Sequence, residues 1–117
     1  MVTDVAMKVS NPKDPSLARQ LIFLVDSGAI YSVVPRRILT EIGVVPDSVE
    51  WFSLADLTQI ERDVGQAAFT HRGRTRVLPV MFGEEGDATL LGVMTLEALG
   101  LVLDPVRREI RPMAMRL

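Results

Sequence analysis

Apolar residues along the chain come in short runs cut by turn-forming residues, a pattern of strands more than of long helices. Val2 to Ser10 alternate loosely and stop at Asn11-Pro12-Lys13-Asp14-Pro15, a dense turn signal. Leu21-Ile22-Phe23-Leu24-Val25 is continuously apolar, so a strand buried on both faces is expected, ending abruptly at Asp26-Ser27-Gly28. Ile30 to Val34 reads as another extended segment. Pro35 is placed at the first position of a short helix, with Ile38, Leu39 and Ile42 on one face and Gly43 as its terminator. Val49 to Phe82 predicts strands and hairpins, with turns near Asp56 and at His71-Arg72-Gly73. Arg76 to Phe82 is the clearest strand there, and Pro79 predicts an edge position or a bulge. A polar loop, Gly83 to Asp87, precedes an apolar extension from Ala88 to Leu91 that ends at Gly92. Thr95 is the expected N-cap of a second short helix closed by Gly100. Leu101-Val102-Leu103 then forms a core strand, Asp104-Pro105 a turn, and Arg107 to Pro112 a terminal strand. The pattern predicts one mainly-β domain over residues 1–117 with two short helices.

Composition narrows the chemistry. A chain of 117 residues with 48% hydrophobic and 24% charged residues can bury a core without covalent staples. With 5% aromatics that core must be aliphatic, and the six methionines are expected to fill its gaps. No cysteine is present, which removes disulfides, thiolate nucleophiles and thiolate metal sites. The single histidine rules out a multi-His metal centre. A net charge of −2 and a pI near 5.3 favour neither nucleic acid nor an anionic membrane. No apolar run approaches bilayer length, and the first fifteen residues lack the layout of a signal peptide, so a cytoplasmic protein is expected.

Asp26 is the informative residue. A carboxylate directly after an apolar run needs hydrogen-bond donors nearby, because an unpaired buried acid is costly. Gly28 lets backbone N–H groups approach, and Ser27 adds a small hydroxyl. A plain turn would use the same three residues.

The surroundings separate these readings. Leu-Val-Asp-Ser-Gly-Ala-x-x-Ser-Val-Val-Pro, residues 24–35, closely resembles the active-site segment of retropepsin-like (retroviral-type) aspartic proteases. The later Leu90-Leu91-Gly92, followed by a helix pattern, resembles that family's apolar-apolar-Gly element. The combination looks like the small soluble aspartyl proteases of bacteria and archaea. The resemblance implies a closed β-barrel of the acid-protease type, a single lobe whose flap hairpin covers a substrate groove. It also implies that Asp26 is the catalytic aspartate. Ser27 would brace the two active-site loops across a dimer, Gly28 would support the carboxylate, and Ala29 is the small residue beside it. Leu91 and Gly92 would pack beneath the loop. Ala55, Asp56, Leu57 and Thr58 fall where the flap tip is expected, in a stretch without the glycines that family flaps often carry. No metal or organic cofactor is implied.

Aspartic proteolysis uses two carboxylates that share a proton. The chain has a single Asp-Ser-Gly, so a two-fold homodimer acting on a peptide or protein substrate is expected. A rival of another class is a catalytically silent module of the same fold that dimerises or binds peptides. Other candidates read more simply as structure: Asp104 and Asp56 as turn formers, His71 as an exposed loop residue, Arg72, Arg74 and Arg76 as a solvated face. Ser27 lacks the Gly-x-Ser-x-Gly surroundings of a nucleophile.

Overall fold

The computed structural model describes residues 3–113. The proposed start of the first strand at Val2 lies outside them. A hairpin comes first: β1 (Asp4–Asn11) runs antiparallel to β2 (Asp14–Val25), with a register break at Ser10/Asn11. The turn is held from within, since Asn11 Oδ1 accepts the Lys13 N–H at 2.8 Å and Asp14 Oδ1 accepts the Ser16 N–H at 3.1 Å. β2 is longer than its apolar run suggested, because residues 14–20 lie on the surface beside β1 and need no hydrophobic signature. Within the run itself, Phe23 is fully buried but Ile22 is 62% exposed, so the strand is covered on one face only.

β3 (Ser32–Pro35) leads into α1 (Arg36–Glu41). Pro35 keeps an extended backbone (φ −52°, ψ 136°) and stands at the N-cap, so the helix begins one residue later than predicted. Ile38, Leu39 and Ile42 enter the core, and Gly43 (φ 79°) reverses the chain. β4 (Ser48–Ser53), β5 (Gln59–His71) and β6 (Arg74–Gly83) form an antiparallel meander. β3 lies parallel to β6 from Val80 onward, so Pro79 occupies a stretch flanked by β5 alone, where a missing N–H is tolerated. β7 (Leu90–Leu91) inserts between β2 and β3. α2 (Val93–Ala98) and a separate hairpin, β8 (Leu101–Asp104) with β9 (Glu109–Pro112), complete the described chain.

Pairings run β1-β2-β7-β3-β6-β5-β4, and β1 also pairs with β5, so the sheet folds back on itself. The interior is aliphatic apart from three buried phenylalanines, with Phe23 tilted against Phe69 at 6.1 Å. Methionine contributes less than expected: Met7 and Met81 are buried, whereas Met94 and Met113 lie near the surface. Met1 and Met115 lie outside the described residues. Among the described residues no helix is long and apolar enough to cross a membrane.

Candidate active site

β2 delivers the chain into the Asp26-Ser27-Gly28 turn, and parallel pairing with β7 fixes where it arrives. Leu24 sits opposite Leu90 and Val25 opposite Leu91, and the Asp26 N–H donates to the Leu91 carbonyl at 3.1 Å. The Gly28 N–H donates to Asp26 Oδ1 at 2.9 Å, and the Ala29 N–H to the Asp26 carbonyl at 3.1 Å. The far side of the loop is held by a helix start. Val93 N–H donates to the Ala29 carbonyl (2.8 Å) and Met94 N–H to that of Ile30 (3.2 Å). These N–H groups have no partner within α2, so loop and helix satisfy each other.

Two residues to which the sequence assigned no role at the site complete the mounting. Ser32 and Thr95, both fully buried, share a hydroxyl hydrogen bond at 2.6 Å, and Ser32 Oγ also accepts the Gly92 N–H at 2.9 Å. Thr95 was predicted as an N-cap. The cap is Gly92, one turn earlier, and the Thr95 hydroxyl is turned inward to Ser32. Only the spatial pairing of residues 63 apart gives Thr95 this partner.

Asp26, Ser27 and Gly28 are exposed in the protomer, contrary to the buried carboxylate expected from sequence, and Ala29 is half-buried. Asp26, Gly28 and Ala29 line an open groove of about 940 Å³ roofed by the β4–β5 hairpin. Ser27 fronts a different, smaller recess of about 230 Å³ between α2 and β8. Phe52, on the hairpin's inner face, meets the Tyr31 ring edge-on at 5.7 Å, tying the roof to the loop.

The hairpin tip forms without glycine. Leu54 and Thr58 are joined by a backbone bond of 2.8 Å, the Leu57 N–H returns to the Leu54 carbonyl at 2.9 Å, and Asp56 Oδ1 accepts the Thr58 N–H at 2.9 Å. Leu57 adopts φ 69°, a left-handed conformation favoured by glycine, and is 85% exposed. Leu57→Gly is therefore expected to stabilise the protein by about 0.5–1 kcal/mol, read as a higher urea midpoint. The gain is smaller than the strain relieved, because glycine also loosens the unfolded chain.

At the hairpin base, Arg62 grips Asp87 in bidentate fashion (2.8 and 3.1 Å), and Asp87 Oδ2 accepts the Glu84 N–H at 2.8 Å. Arg36 bonds Glu84 and Asp63, each at 2.6 Å, and lies 5.0 Å from the centre of the Phe82 ring. The Arg62 guanidinium holds the Asp87 carboxyl below its ordinary range, against the opposing effect of burial. Such a group stabilises the fold above the unfolded carboxylate range and loses that contribution as pH falls through its folded value. Asp87→Asn is thus expected to cost about 1–2 kcal/mol at neutral pH. That difference from wild type should shrink toward zero in acid, as followed by urea unfolding across pH.

The other carboxylates behave as turn formers. Asp104 accepts the N–H groups of Val106 (3.0 Å) and Arg107 (3.2 Å) and pairs with Arg111 (3.0 Å). His71 ends β5 half-buried, and burial, with the adjacent Arg72, lowers its basicity. Arg74 is not wholly solvated as predicted, since it reaches the Leu99 carbonyl at the end of α2 (3.3 Å).

The fold that carries this groove is the retropepsin-like one. It is similar to EIAV protease complexed with the inhibitor HBY-793, at a TM-score of 0.59 and 17% identity over 86% of this chain and 89% of that one. No family model matches the chain, and no curated protein matches it.

Proposed function

We propose that the chain is an aspartic endopeptidase that works as a two-fold homodimer, each subunit supplying Asp26. The observation that carries this reading is the mounting of Asp26: an exposed carboxylate on a loop anchored to Leu91 and to the start of α2, facing a groove under a hairpin. The pairing that returns from β5 to β1 supports a closed-barrel description. In the dimer the two carboxylates hold one proton, since both cannot ionise at close range. The ionised one takes a proton from water as the hydroxyl adds to the scissile carbonyl carbon, and the protonated one donates to the carbonyl oxygen. Collapse of the resulting diol breaks the C–N bond, the nitrogen leaving with a proton from the dyad. Gly28 and Ala29 keep the loop close and small around the carboxylate. Leu91 and Gly92 are its floor. Ser27, exposed beside an apolar recess, is the side chain we assign to the partner contact. Ala55, Asp56, Leu57 and Thr58 form the flap tip, and an extended peptide lies between flap and floor, paired through its backbone.

The left-handed Leu57 favours a second reading, a silent peptide-binding or dimerising module whose flap has lost an easy hinge. Peptide-library cleavage from about pH 4 to about pH 8, on samples shown dimeric by light scattering, separates the two. Cleavage that rises as pH falls from neutral supports the protease. A confirmed dimer that cleaves nothing supports the module.

A further inference from the structure

The groove also carries a charge pattern that selects its occupant. β4 and β5 pair with Glu50 opposite Arg62 and Phe52 opposite Ile60, so these four side chains share one face of the hairpin. Phe52 packs on Tyr31, which makes this the face toward the groove, and Glu50, Phe52 and Ile60 all line it. Arg62, the cation directly across from Glu50, is already engaged by both oxygens of Asp87. Arg36, the next cation, is engaged by Glu84 and Asp63. Among the described residues lining the groove none is Lys or Arg. Glu50 is half-buried and forms no salt bridge among the described residues. Both guanidiniums nearest this wall are thus committed to other carboxylates, and the carboxylate on the hairpin face of the groove that is left without a cation is Glu50.

We infer that Glu50 is a specificity-determining residue, and that the groove takes peptides carrying a Lys or Arg side chain at the subsite beneath β4, among otherwise apolar neighbours. A substrate cation there meets a carboxylate that has shed part of its hydration without gaining a partner, which makes the pair stronger than one on the open surface. The inference rests on the groove being a peptide site, and in the homodimer the two-fold axis would repeat the subsite on the other side of the scissile bond.

Two readouts test it, one of them independent of catalysis. Fluorescence anisotropy of dye-labelled peptides reports occupancy without using the catalytic step. Extended apolar peptides differing only in Lys, norleucine or Glu at one scanned position are titrated into Asp26→Asn protein and, separately, cleaved by wild type. The expected result is a preference of about five- to tenfold for Lys over norleucine at one position, weakening with added salt. That ratio falls toward one in Glu50→Gln and reverses in favour of Glu in Glu50→Lys. A preference that persists in Glu50→Gln overturns the inference, as does the absence of any position favouring Lys. Binding with the Lys preference but no wild-type cleavage upholds it while removing the protease reading. Cleavage without charge preference does the reverse.

Discussion

Asp26→Asn is expected to reduce peptide cleavage by about a thousandfold or more while leaving a folded dimer. In a two-fold dimer one substitution removes both carboxylates, so neither a base for water nor an acid for the carbonyl remains. The asparagine Oδ1 can still accept the Gly28 N–H that Asp26 accepts at 2.9 Å, so the loop should keep its shape. Replacing a carboxylate pair that has to share one proton by two neutral amides should hold the proposed dimer at least as tightly as wild type. Initial rates on a cleaved peptide, with light scattering on the same samples, check both halves. Residual activity within about tenfold of wild type would exclude Asp26 as the general acid–base group.

Gly92→Ala is expected to be the most damaging single-atom-scale change, at about 3 kcal/mol or more. Backbone conformation is not the reason, for Gly92 is extended (φ −89°, ψ 172°) and any residue adopts those angles. Space is the reason. A Cβ there would lie 2.6 Å from the Tyr31 carbonyl carbon and oxygen and 2.7 Å from the Ile30 carbonyl oxygen, all backbone atoms of the Asp26 loop. Relief requires moving either that loop or α2, which breaks the bonds from Val93 and Met94. Gly73 is the useful contrast: its φ of 80° strains an alanine, yet its Cβ would meet nothing within 4 Å. Gly73→Ala should cost only about 1 kcal/mol. Urea unfolding of both variants distinguishes crowding from backbone strain, and comparable losses would refute the steric account.

Much of the element order was legible because it rests on local chemistry. Gly43 and the Asn11–Asp14 turn act through neighbouring backbone, and the apolar runs at 21–25 and 101–103 mark strands, although each is covered on one side only: Phe23 and Leu101 are buried while Ile22 and Val102 are exposed. The Asp-Ser-Gly turn was equally readable, since its residues are contiguous. Partners distant in sequence were less so. Exposure of Ile22, the inward turn of Thr95 toward Ser32, and the reach of Arg74 to α2 all depend on which element lies opposite. The flap tip shows the same limit, for a five-residue turn without glycine gives no signal that Leu57 will accept a left-handed backbone.

By itself, then, the sequence determined a mainly-β chain and a single candidate carboxylate, because hydrophobic period and turn propensity act over a few residues. Tertiary structure decided that Asp26 stands exposed in a groove, and that Ser27 faces away from it. It also decided that Arg62 is taken by Asp87, leaving Glu50 unmatched. Those outcomes depend on strand register, which sets what each side chain faces across the sheet and is decided only when the whole sheet pairs.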